Sequence, residues 1–281
     1  MTRHIAFTYV DVFTARPLAG NQLAVCTDAA AVPDAMLQAL AREIGFSETV
    51  FVYEGADGTD ARVRIFTPVQ ELRFAGHPVL GTAYVLAQRH GVDRIVLGTK
   101  AGAIPVEFDT ARRGRMTQPI PSVAALPADD VAAMCTALGI ERSEQPVEVY
   151  DNGLEHAYFV LPDQGAVAAL RPDLTALAAI AGLMGTNCAA GAGTNWKTRM
   201  FIPDAGVGED PATGSAAGPL AVHLARHDLV PWGEEITISQ GAELNRPSTL
   251  YAVAHGRGGQ VERVEVAGDA VIVAETTFTL P

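Results

Sequence analysis

The chain has 281 residues, of which 48% are apolar and 19% charged, with a formal net charge of −12. That is the composition of a globular protein large enough for a sizeable core, in one large or two medium domains. The acidity is spread thinly with no basic tract, which excludes a nucleic-acid partner, and no apolar run approaches the roughly 20 residues of a membrane span. The start, Met1-Thr-Arg-His-Ile-Ala-Phe7, lacks the pattern of a secretory signal, so a cytoplasmic location is expected. Cys26, Cys135 and Cys188 are scattered without a CxxC pair, and neither a disulfide framework nor a zinc site is expected from them.

In chain order, alternating β-branched and aromatic residues predict a first strand over 7–13. Pro33-Asp34 opens a helix over 33–44 with Met36, Leu37, Leu40, Ala41 and Ile44 on one stripe. Strands follow over 49–53 and 61–66. The next helix, 78–90, has proline in its first turn and Gly91 past its end, with Val79, Leu80, Ala83, Tyr84 and Ala87 as its buried stripe. After a strand over 94–97, two prolines within 116–121 mark the best domain boundary. Beyond it come a helix over 129–138, strands over 147–150 and 156–161, and a second Pro-Asp helix over 172–181 (Leu174, Leu177, Ala178, Ala181). A helix over about 219–227 and strands over 236–239, 251–254, 261–266 and 270–278 complete the chain. Strands outnumber crossover helices, so a doubly wound parallel sheet is disfavoured. A mostly antiparallel α+β architecture, with a helix packed inside or against each sheet, fits better.

The halves repeat. Pro33-Asp34 matches Pro172-Asp173, Phe66-Thr-Pro68 matches Phe201-Ile-Pro203, and His77 matches Ser215, at offsets of 139, 135 and 138 residues. A period of half the chain means a duplicated domain, not a solenoid. Two lobes are expected, 1–118 and 119–269, with a strand at about 270–281 returning to the first.

Two glycine-rich corners carry the candidate chemistry: Phe74-Ala-Gly-His-Pro-Val-Leu-Gly-Thr82 and Glu209-Asp-Pro-Ala-Thr-Gly-Ser-Ala-Ala-Gly218. Each runs into an apolar helix, whose N-terminal amides and dipole favour an anion. A single site formed between the two halves is expected, holding a small anionic substrate. His77 reads either as a capping histidine or as a neutral hydrogen-bonding imidazole, because the positive helix end disfavours its protonated form. Asp210 reads either as a helix cap or as a site residue. Ser215 lacks the G-x-S-x-G pattern of a nucleophile elbow and is assigned to binding. Pro219 cannot donate an N–H, so regular helix bonding is expected only from about there, leaving the amides after Thr213 free.

Glu48 lies between Phe46 and Phe51. It reads either as an exposed strand-start glutamate or as a partly desolvated acid/base group with a raised pKa. At the 139-residue offset stands Asn187, so only one lobe carries an acid, which fits one proton shuttle. No metal or organic cofactor is expected: HExxH, G-x-G-x-x-G and Walker patterns are missing. Only His223 and His227 have the i, i+4 spacing of a helical metal pair, and they read as the solvent face of the last helix.

Taken with Asp11-Val-Phe-Thr14, Leu18-Ala-Gly-Asn21 and Ser47-Glu48-Thr49, the two corners resemble the phenazine-biosynthesis PhzF-like isomerase family, nearly end to end. The resemblance implies a diaminopimelate epimerase-like fold: two pseudo-symmetric lobes, each a β-barrel round a central helix, with the site in the cleft. It implies Glu48 as the general acid/base, and His77 and Asp210 as groups that orient and polarise the substrate. Gly76, Gly214 and Ser215 are then the donors to its carboxylate. It also implies a homodimer and a cofactor-free proton shift, as in the isomerisation of trans-2,3-dihydro-3-hydroxyanthranilate. Three alternatives stand beside it. A racemase or epimerase of the same fold needs a cysteine pair in the two corners, where His77 and Asp210 stand instead. An isomerase of another small cyclic or unsaturated acid and a non-catalytic small-acid binder remain.

Overall fold

A computed structural model describes residues 3–109, 112–180, 182–203 and 208–280. Ala181, assigned above to a helical stripe, and Pro281, assigned to the last strand, lie outside them. Along the chain run β1 (Arg3–Val12), β2 (Asn21–Cys26), α1 (Asp34–Ile44), β3 (Glu48–Glu54), β4 (Ala61–Phe66), β5 (Glu71–Leu72), α2 (Gly76–His90), β6 (Arg94–Thr99), β7 (Gly102–Phe108) and β8 (Gly114–Gln118). Then come β9 (Ser122–Ala125), α3 (Ala128–Leu138), β10 (Glu148–Asp151), β11 (Glu155–Val160), α4 (Gln164–Ala169), α5 (Leu174–Ala178), β12 (Gly185–Ala192), β13 (Asn195–Ile202) and β14 (Gly208–Asp210). The last are α6 (Gly214–Arg226), β15 (Glu235–Gln240), β16 (Ser248–Arg257), β17 (Gln260–Gly268) and β18 (Ala270–Leu280). Among the described residues no helix is long and apolar enough to cross a membrane.

The chain forms two compact units, Met1–Thr117 with Ala267–Pro281, and Gln118–Val266. In the first, β1 pairs antiparallel with both β2 and β18. Strand β2 pairs parallel with β3 after the α1 crossover, and β4 pairs antiparallel with β3 and β5. Strand β4 then pairs parallel with β6 after the α2 crossover, and β6 pairs antiparallel with β7. The second unit repeats this series: β10 with β11, β11 parallel with β12, β12 with β13, β13 with β14, β13 parallel with β15, and β15 with β16. The duplication read from sparse sequence matches is therefore a duplication of strand pairing.

One side-chain device recurs with it. Arg64 on β4 grips Glu71 on β5 through Nε and Nη2 at 2.8 and 3.0 Å, and its guanidinium lies over the Phe66 ring. Arg199 on β13 grips Glu209 on β14 at 2.8 and 2.7 Å and lies over Phe201. A planar fork suits a carboxylate bidentately. Each pair locks the short strand that leads into its glycine corner.

Helices α2 and α6 are buried nearly all round, unlike α1, which buries only Leu37, Leu40 and Ala41. Helix α2 packs against β1, β2, β3, β6, β7 and β18 of its own unit. A helix apolar on all sides is a core element rather than an amphipathic one. Truncating a residue such as Leu80, fully buried there, costs about 2–5 kcal/mol. The expectation that His223 faces solvent is therefore wrong: it is completely buried on α6. Both helices also start earlier than their prolines, at Gly76 and Gly214. Pro219 sits inside α6 and leaves the carbonyl of Ser215 without its helical donor; Asn152 Nδ2 supplies one at 2.9 Å.

Candidate active site

In the first unit, Glu48 begins β3 and His77 is the second residue of α2. The ladder alternates, so Phe51 faces away from Glu48 and joins Phe7 and Phe66 in edge-to-face contacts. Phe46 packs on Tyr9 instead. The imidazole, by contrast, meets the Glu48 carboxylate: His77 Nε2 lies 3.3 Å from Glu48 Oε2. Burial pushes the His77 pKa down to about 3, so the ring is neutral and the contact is not an ion pair. The cause is desolvation more than the helix dipole invoked from the sequence. On the other side of the ring, Asn21 Nδ2 is 3.1 Å from His77 Nδ1, and Ser47 Oγ donates to Asn21 Oδ1 at 3.1 Å.

The ladder also corrects the comparison between halves. Thr49 pairs with Phe66 as Thr186 pairs with Phe201, so the counterpart of Glu48 is Gly185, not Asn187. A Cβ at Gly185 would press on Met200 Cε and Ile202 Cγ2. The second unit has no room for an acid at that position, and the asymmetry holds on a steric ground.

In the second unit, Asp210 ends β14 opposite Met200, and Gly214 and Ser215 open α6. Thr213 is the residue before the helix, yet its hydroxyl does not cap it; it donates to Asp210 Oδ2 at 2.6 Å. Helix α2, preceded by Ala75, likewise has no side-chain cap. The Thr213 carbonyl takes the amides of Ala216 and Ala217, so the amides that precede an internal acceptor are those of Gly214 and Ser215. Around them, Gln118 Nε2 donates to the Gly214 carbonyl at 2.8 Å and Tyr158 OH to the Ala216 carbonyl at 3.0 Å. His156 Nε2 stands 3.5 Å from Ser215 Oγ. Burial lowers the His156 pKa to about 4, so it too is neutral. The structure thus brings Glu48 to His77 in one unit, and Asp210, Gly214 and Ser215 along one short segment in the other.

Sequence reasoning missed the partners: Ser47 and Asn21 appeared only as motif residues with no contact assigned, and Asn152, His156 and Gln240 lie far from the corner in sequence. A second cluster was misread. Glu148 Oε2 accepts from Tyr150 OH at 2.6 Å and meets His227 Nε2 at 3.0 Å and His223 Nδ1 at 3.3 Å, while Arg226 approaches Oε1. The donor atoms of Glu148, His223 and His227 converge within 4.8 Å. His223 Nε2, on the far side of its ring, is buried with no partner. A metal on Nδ1 forces a proton onto that nitrogen and leaves an unsatisfied N–H, whereas a hydrogen bond from Nδ1 leaves only a bare lone pair. The cluster is a carboxylate-centred hydrogen-bond network.

A neutral imidazole lies against a carboxylate on a duplicated frame with two uncapped buried helices, and the fold is diaminopimelate epimerase-like. The family model of phenazine biosynthesis-like proteins matches residues 10–276, and the chain belongs to that family. It is 46% identical over 278 residues to a trans-2,3-dihydro-3-hydroxyanthranilate isomerase of Pseudomonas fluorescens, covering 98% of this chain and 99% of that protein. The crystal structure of a PhzF-family phenazine biosynthesis protein of Bacillus anthracis superposes with a TM-score of 0.85 at 23% identity, over 98% of this chain and 99% of that one. A hydroxyproline epimerase of Agrobacterium vitis shares the fold at 14% identity with a TM-score of 0.67, over 99% of this chain and 92% of that one. The chain is an isomerase of this family.

Proposed function

We propose that this isomerase moves a proton on a small cyclic or unsaturated carboxylic acid, without metal or organic cofactor. Trans-2,3-dihydro-3-hydroxyanthranilate, named in its Pseudomonas fluorescens relative, is the first substrate to test. The observation that carries this reading is the Glu48–His77 contact at 3.3 Å with the imidazole neutral. Glu48 takes a proton from a substrate carbon, the C–H electron pair moves into the adjoining unsaturated system, and Glu48 returns the proton to another carbon. His77 and Asp210 orient and polarise the substrate by hydrogen bonding. The amides of Gly76, Gly214 and Ser215 hold its carboxylate.

Two-cysteine epimerisation is disfavoured by the thiols. Cys26, Cys135 and Cys188 are buried, and burial pushes Cys26 up to about 11 and the other two upward. None lies in the corners, and protonated thiols make poor bases. We further propose a cytoplasmic homodimer, to be checked by analytical ultracentrifugation. The deciding assay incubates purified protein with trans-2,3-dihydro-3-hydroxyanthranilate, with and without chelator, and follows its disappearance. Turnover in both supports the reading. No turnover, beside turnover of a different carboxylate that also stabilises the protein thermally, transfers the activity to that acid.

A further inference from the structure

Gln240, buried at the end of β15, has a side-chain amide that can sit only one way round. The atom 2.8 Å from the Asp210 carbonyl oxygen must be the donor Nε2, because a carbonyl only accepts. The atom 3.2 Å from the Thr213 main-chain nitrogen must be the acceptor Oε1, because an amide N–H only donates. The second hydrogen on Nε2 then points to Thr213 Oγ1 at 3.0 Å. With that lone pair occupied, the threonine's own proton goes to Asp210 Oδ2, 2.6 Å away. The chain of donors therefore runs in one direction, from Gln240 through Thr213 to Asp210. Thr198 Oγ1 closes the network on Gln240 Oε1 at 3.3 Å. Gly241 follows with φ +78°, where a Cβ would collide with the carbonyls of Pro211 and Arg246. Strand end and loop meet backbone to backbone, which keeps the amide on its target.

We propose that Gln240 is the positioning residue for Asp210: it fixes which way the Thr213 hydroxyl donates, and so holds the Asp210 carboxylate oriented as an acceptor. This rests on Asp210 being a residue of the active site.

The test compares Gln240→Met, Thr213→Val, Thr213→Ser and the Gln240→Met/Thr213→Val double variant. On trans-2,3-dihydro-3-hydroxyanthranilate, Gln240→Met and Thr213→Val should each lower kcat about 10–100-fold with KM nearly unchanged, less than the roughly 10²–10³-fold of losing a transition-state hydrogen bond outright. Thr213→Ser should stay near wild type. The double variant should be no worse than either single one, because both break the same chain. Isotope-edited NMR reads the chain without substrate: the Thr213 hydroxyl proton should be visible and slow to exchange in the wild type and absent in Gln240→Met. Multiplicative kcat losses, or a hydroxyl resonance that survives Gln240→Met, overturn the inference. A wild type that does not turn over this acid contradicts the proposed substrate, and the NMR comparison then decides the Gln240 role by itself.

Discussion

Nε2 of His77 lies 3.3 Å from Oε2 of Glu48, and the imidazole is neutral because it is buried. Had the ring been a cation, it would have pinned the carboxylate as an ion pair and weakened it as a base. A neutral ring can orient that carboxylate, or a substrate oxygen beside it, without taking its charge. Asn21 and Ser47 extend the contact into a line of side chains that keeps the ring in place.

Buried neutral histidines make the fold sensitive to acid. His77 and His156 have pKa values lowered to about 3 and about 4, from 6.5 in the unfolded chain, and His223 is lowered in the same direction. As pH falls below 6.5 the unfolded chain takes up these protons while the folded chain does not. Stability is therefore lost progressively from about pH 6.5 down to the folded values, by up to ~1.4 kcal/mol per pH unit for each histidine. Urea titrations between pH 7 and pH 5 should show this slope, and His156→Gln should reduce it by one proton. An identical slope in that variant contradicts the burial argument.

The Glu148 network is expected to support folding rather than chemistry. Hydrogen bonds from His223 first, and also from Tyr150 and His227, hold the Glu148 carboxyl well below the usual carboxylate range. Glu148→Ala removes the acceptor shared by Tyr150, His223 and His227, leaves His223 Nδ1 only the Tyr150 hydroxyl at 3.2 Å, and should cost about 1–3 kcal/mol of stability, with kcat retained at a temperature where the variant is folded. Chelators should leave the wild-type rate unchanged. Loss of activity on chelation, restored by zinc, would return the His223–His227 pair to a metal role.

How much of this was legible in the sequence depended on how local the signal was. Proline-led helices, the Phe-x-Pro repeats and the glycine corners are local, and they delivered the duplication. Strand β12, Gly185–Ala192, was not legible, since glycine and alanine carry no strand preference and the parallel pairing with β11 makes it a strand. The period of two was available and overlooked at Glu48, where it puts Phe51 on the opposite face. His223 was misplaced because an i, i+4 reading assumes one exposed face, and α6 has almost none. Gln240 could not have been found, and Asn21 was visible only as a motif residue, because their partners are fixed only once the strands pair.

Anion binding should depend on main-chain amides and not on Arg73, which is exposed just before the first corner. Arg73→Ala should weaken binding of a small carboxylate only modestly, within the ~0–1 kcal/mol typical of an exposed charge. Gly214→Val, which puts a branched side chain beside the first α6 amides, should abolish it. Calorimetry with the same carboxylate on both variants decides the point. Tolerance of valine together with loss on Arg73→Ala places the anion elsewhere.

The most direct test of the central claim is a steady-state comparison of wild type and Glu48→Gln with trans-2,3-dihydro-3-hydroxyanthranilate, alongside a binding titration. Glutamine keeps the size and polarity of the side chain and removes the base. With Glu48 as the base, binding is retained and turnover falls by at least the roughly 10²–10⁴-fold that general acid/base catalysis contributes. A Glu48→Gln variant that turns over at the wild-type rate contradicts that role.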